Sequence, residues 1–172
     1  MSKTCKYNNK MKSRISFSAG SITMSACILG CLTAAGVNNL RHDDTSIAIV
    51  CFGMLIVLVT PALFFAPLSV SVNDKEIGLH SLLRTKRIAL KDVTGVHRYA
   101  PTMGTRRIFA SGGFWGYWGK FKEGDTGSYY GFYGKASDCF IITTSCGKKY
   151  VIGCNNPDTI VSDIASKIKS SH

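Results

Sequence analysis

The sequence has little of what most enzymes use. Ten Asp and Glu are scattered through 172 residues, and no carboxylate pair argues for acid–base work. The four histidines, His42, His80, His97 and His172, show no helical or hairpin metal spacing; His80 and His97 could meet only across strands. There is no G-x-S-x-G elbow and no Walker pattern. Seven cysteines include no C-x-x-C and no zinc spacing. Cys139 and Cys146 flank a hairpin with no base beside either. Gly113, Gly116 and Gly119 recur every third residue, but no buried parallel strand precedes them and no helix follows. Together these absences argue against catalysis, bound metal and bound cofactor. An odd cysteine count with three members in apolar stretches (Cys27, Cys31, Cys51) reads as buried thiols in a reducing compartment.

Charge is missing from two long segments, residues 15–37 and 46–66. Both are long enough to cross a bilayer core of about 30 Å, which takes about 20 predominantly apolar residues. The second, rich in Ile, Val, Leu and Met, is the stronger; Pro61 near its end is tolerable in a membrane helix. The first is rich in small residues. Ala26, Gly30 and Ala34 share one face, where a second helix can approach closely, either in this chain or in an oligomer. A short linker makes a helical hairpin the natural reading.

The formal net charge is +11. Lys3, Lys6, Lys10, Lys12 and Arg14 precede the first segment, Arg41 alone lies between the two, and many cations follow. The positive-inside rule then places both ends in the cytoplasm at the inner membrane. The expected organisation is a basic tail at 1–14, a transmembrane hairpin at 15–67 and a domain at 68–172. A rival reading is a processed envelope lipoprotein, since the stretches before Cys27 and Cys31 loosely resemble processing sites. Nucleic-acid binding is disfavoured because two spans hold the basic domain at a membrane and its cations are dispersed.

From Leu68 the hydrophobic period becomes two. Strands are expected at 68–72, 77–83, 86–90, 93–99, 106–110 and 128–134, with a clear hairpin at 138–144 and 148–152. No connection is long enough for repeated helical crossovers, so the sheet should be antiparallel. A final helix begins near Pro157 and aligns Ile160, Val161, Ile164 and Ile168 on one face, suited to plugging an open end of a curved sheet.

Residues 104–134 alternate glycines with aromatics, among them Phe114, Trp115 and Trp118, flanked by Arg106, Arg107, Lys120 and Lys122. Three readings stay open. The aromatics fill a core, they contact anionic lipid headgroups, or they meet a protein partner.

About seven antiparallel strands closed by one C-terminal helix is the plan of a PH-like (pleckstrin-homology-like) domain. The order RTKRIALKDVTGV, the block Ser111 to Phe121, the hairpin ITTSCGKKYVI and the helix start NNPDTIV resemble the bacterial PH-like domain family in its membrane-anchored form. The resemblance covers roughly 68–169. It implies a non-enzymatic module for protein or lipid-surface binding, without naming a ligand. The alternative is a subunit of a larger membrane complex, packing through its helices.

Overall fold

The computed structural model describes residues 11–102, 104–124 and 126–171. Lys3, Cys5, Lys6, Lys10 and His172 lie outside them. Two long helices come first. Ala19–Arg41 (α1) opens at Ser18, whose hydroxyl accepts the Ser21 N–H at 3.2 Å. Thr45–Phe65 (α2) follows after a three-residue turn. At about 1.5 Å per residue each is about 30–35 Å long, long and apolar enough to cross a membrane. Only 17% and 11% of their apolar stretches are buried, unlike the core helix of a soluble domain.

The two helices close on each other at Gly36. A Cβ there would stand 3.0 Å from the Phe52 ring, so the ring rests on bare helix backbone. Ala26, Gly30 and Ala34 are exposed, and a Cβ on Gly30 would touch nothing within 4 Å. Within the chain, the close approach foreseen for that face is made by Gly36 instead.

The basic segment before α1 ends in a strand, Met11–Arg14 (β1), which pairs antiparallel with Ser69–Val72 (β2) after α2. Ile15 N–H extends this ladder to Leu68 O at 3.1 Å. Asn155 N–H donates to Arg14 O at 3.0 Å, and Ser18 N–H to Gly134 O at 3.2 Å. The chain therefore enters and leaves the helical hairpin through adjacent strands of one sheet.

That sheet continues with Glu76–His80 (β3) and Thr85–Ala89 (β4), in the order β1-β2-β3-β4. The strand expected to run to Leu83 stops at His80. Ser81–Arg84 is a turn, closed by Ser81 N–H to Arg84 O at 2.8 Å. A 3-10 turn at Leu90–Asp92 carries the chain to a second sheet. It comprises Val93–Arg98 (β5), Arg106–Gly113 (β6), Gly116–Glu123 (β7), Gly127–Tyr133 (β8), Cys139–Thr144 (β9) and Lys149–Gly153 (β10). Its order is β5-β9-β10-β8-β7-β6. The expected antiparallel pairing holds for the other neighbours, while β8 and β10 run parallel. β10 folds back inside β9 rather than outside it, which places the apolar Tyr150-Val151-Ile152 in the sheet centre, buried on both faces.

Pro157–Ser171 (α3) ends the chain. Ile160 and Ile164 are fully buried, as their spacing predicts. They join Val70, Val72, Ile77, Ile88, Phe140, Ile142 and Ile152 in the main core between the sheets. A second core lies on the opposite face of the six-stranded sheet: Phe121, Tyr129, Tyr133, Cys139, Ile141 and Val151, with Tyr99 packed against it.

Candidate functional site

The alternation of β7 and β8 sorts the aromatic block onto two faces. Phe121, Tyr129 and Tyr133 point into the second core, where Phe121 stacks on Tyr129 at 5.8 Å between centroids. Beside them Glu123 is buried but satisfied. The Tyr99 and Thr102 hydroxyls donate to its carboxylate, as does the Thr102 N–H at 3.1 Å. Burial pushes the Glu123 carboxyl up, yet these bonds outweigh it and hold the group below the usual carboxylate range. Burial and the bond to Glu123 push the Tyr99 phenol up to about 12.

The other face lines a cleft of about 1080 Å³ between the two sheets, walled by the end of α2. Register places Trp118 opposite Phe132, Lys120 opposite Tyr130, and Tyr130 opposite Tyr150. Lys86, from β4 of the other sheet, crosses the gap. Its ammonium stands 4.6 Å from the Tyr130 ring centroid and 4.5 Å from that of Tyr150. These two rings stack on each other at 5.6 Å. Nearer α2, Phe65 stacks on Trp118 at 5.7 Å, and the Arg84 guanidinium lies 5.4 Å from the Phe65 ring. Such cation–π contacts satisfy a cation without neutralising it. Arg84, Lys86, Arg107 and Lys120 line the cleft; among the described residues no Asp or Glu does, and the ion pairs involve none of the four. Burial, then the neighbouring Arg84 and Lys148, hold Lys86 below the usual lysine range.

Two turns tie this face to the helices. The Phe114–Trp115 turn of the β6–β7 hairpin docks on the first turns of α1. The Ser21 hydroxyl donates to Gly113 O and accepts Gly116 N–H at 3.1 Å, and the Ser25 hydroxyl accepts Trp115 N–H at 2.9 Å. Trp115 adopts φ 47, and these bonds hold it there. The β3–β4 turn docks on α2: Leu83 N–H donates to Leu63 O at 3.1 Å, a carbonyl in the last helical turn with no helical partner. Leu82 and Leu83 on that turn are exposed.

Residues 68–168 match the model of the bacterial PH domain. This chain belongs to that family. No curated protein and no solved structure matches it. The PH domain here is mainly β with a C-terminal helix and follows two helices of membrane-spanning length.

Of the residues singled out from sequence, Arg107, Phe114, Trp118 and Lys120 meet on the PH domain cleft. Arg106 and Lys122 pair with each other across β6 and β7, exposed and beyond the cleft. Trp115 stacks on Phe114 at 5.7 Å in the docked turn. Sequence reasoning missed Arg84, Lys86, Phe65 and Tyr150, which belong to other elements. A usable signal existed: Arg84 and Lys86 are two apart, so they share one face. His80 is bonded locally, through Ser71 Oγ at 2.8 Å and Thr85 Oγ1 at 3.1 Å, and His97 stands on the other sheet.

Proposed function

We propose that this chain is a non-enzymatic, two-span membrane protein that holds its PH domain on the cytoplasmic face of the inner membrane as a binding module for the anionic lipid surface. The observation that carries the reading is the cleft face itself. Its cations have no carboxylate partner there, and its aromatics adjoin the ends of two helices of bilayer-spanning length. Aromatic rings favour the level where one side is apolar and the other wet, and cations there meet anionic headgroups. The five Lys and Arg before the first span, against one between the spans, support cytoplasmic termini. The unit proposed to act at the surface is 68–172 together with the strand preceding the helices.

Trp118 lines this cleft and Trp115 sits in the adjoining turn docked on α1, so the chain's tryptophan fluorescence reports on the site and its border. Reconstituted in bilayers brominated high on the acyl chain, Trp115 and Trp118 should be quenched strongly. Emission that only aqueous quenchers reach would show a face turned away from lipid. Topology is tested separately with single-Cys variants at Ser46 and Ser170: Ser46 should label from outside, Ser170 only after permeabilisation. A second reading, a subunit of a larger complex or a homo-oligomer, is favoured by the uncovered Ala26, Gly30 and Ala34 face.

A further inference from the structure

The cleft is more than a patch of surface. It is a gap of about 1080 Å³, just above the roughly 300–1,000 Å³ of small-molecule sites. Leu79, Gly131 and Phe132 also line it. One wall is α2, through Val57, Pro61 and Phe64. Val57 is 70% exposed and Phe64 41%, so this wall continues onto the apolar outer surface of a helix long enough to span a bilayer. The cations come from the sheets: Arg84 stands beside the Phe65 ring at the end of α2, and Lys86 lies over the Tyr130 and Tyr150 rings, which do not neutralise it. The space thus has an apolar α2 wall that runs on toward the proposed bilayer side, and cations with no carboxylate among the described lining residues.

We propose that the cleft binds one anionic phospholipid from the adjoining leaflet, its phosphodiester held by Lys86 with Arg84 and Lys120, its acyl chains against Val57, Pro61 and Phe64. This rests on the membrane-surface reading and goes beyond it by naming a single ligand class and a stoichiometry. Charge complementarity selects the headgroup, because a net anion answers cations that lack carboxylate partners in the cleft, whereas a zwitterionic headgroup brings its own cation. Burial first, and then Arg84 and Lys148, hold the Lys86 ammonium low, and an arriving phosphate would relieve the repulsive part. The chain's own first ten residues are poor occupants, carrying three lysines and no acid. An acidic peptide would satisfy the cations but leave the α2 wall, shaped as a continuation of the lipid-facing helix, without its apolar partner.

The test uses the full chain in phosphatidylcholine nanodiscs doped with increasing phosphatidylglycerol. Tryptophan emission and the thermal midpoint are followed, and retained lipid is counted by native mass spectrometry. The expected result is a saturable response with one anionic lipid per chain. Replacing Arg84 and Lys86 by Ala should weaken it about tenfold or more, whereas Arg106→Ala with Lys122→Ala, beyond the cleft, should stay within about twofold. Lys86→Met, which keeps the aliphatic stem over the two rings, should show the same loss and guards against simple unfolding. A response that grows with surface charge without saturating overturns the proposal, as does an equal loss in the 106/122 variant. So does an equal stabilisation by glycerol 1-phosphate alone, or a lipid-free dimer. Quenching by brominated phosphatidylcholine separates the two readings. If it persists while saturable binding is absent, the lipid site falls and the surface reading stands; if it too is absent, both fall.

Discussion

On one face of β7 and β8, Phe121, Tyr129 and Tyr133 are at most 3% exposed; on the other, Tyr130 is 39% exposed and Trp118 and Lys120 border an open cleft. Both faces come from one run of glycines and aromatics, so composition does not separate them. Their polar neighbours do. The inner face has a carboxylate whose oxygens take bonds from Tyr99 and Thr102, and so closes. The outer face has cations set against aromatic rings instead of carboxylates, and stays open. Closed polar networks stabilise a fold, whereas incompletely answered charge marks a place for something else.

Substitutions can break this contrast. The largest effect should come from Phe121→Ala, which empties the inner face and should lower stability by about 3–5 kcal/mol in denaturant unfolding of the micelle-solubilised chain. Next comes the Glu123 network. Tyr99→Phe should cost about 1.5–3 kcal/mol, the range for a bond to a charged group. Because the folded Glu123 carboxyl is held low, its contribution is complete above the unfolded carboxylate value, about 4.3. It is lost as pH falls through the lower folded value, and Glu123→Gln should flatten that acid limb of the stability curve.

Ser21→Ala with Ser25→Ala tests the docked turn. It strips two backbone N–H groups of their acceptors, and should cost about 1–3 kcal/mol and shift the Trp115 emission. Tyr130→Ala, on the outer face, should cost only about 0.5–1.5 kcal/mol in stability, yet impair lipid response more than Phe121→Ala does in molecules that remain folded. The smallest effect belongs to Gly30→Leu. With nothing near its Cβ, it should leave the unfolding midpoint of the isolated chain within about 0.5 kcal/mol. If oligomer size or co-purifying partners change in this variant, the uncovered helix face is in use and the contrast must be redrawn around it.

Much of this architecture was legible because it rests on periodicity. The two uncharged runs mark α1 and α2, though α1 lies at Ala19–Arg41 rather than 15–37 and Ile15 joins the core; the 138–144 and 148–152 hairpin became β9 and β10, and Ile160 and Ile164 became the buried stripe of α3. What stayed hidden depends on long-range pairing. Met11–Arg14 alternates too briefly to announce a strand, and only β2, beyond the helices, completes it. β7 was masked by its glycines. Gly119 has φ +116, and a Cβ there would run into Phe109 O and Ala110 Cα, so the residue that weakens the strand signal also permits the close β6–β7 crossing. The site was half legible for the same reason. Local composition marked Arg107, Trp118 and Lys120, whereas Lys86 and Phe65 reach the cleft from elements distant in sequence.

The ladder between β1 and β2 has a mechanical consequence. Because the backbone just before α1 is bonded in register to the backbone just after α2, the domain-side roots of the helices are latched together. Sliding one root along the other by a single residue would break the ladder and turn Val70 and Val72 out of the core. In the membrane-spanning arrangement proposed above, lateral pressure or tension in the bilayer would reach the PH domain as torque on a whole sheet rather than as slack in a tether. A partner that rotates this hairpin would turn the cleft with it.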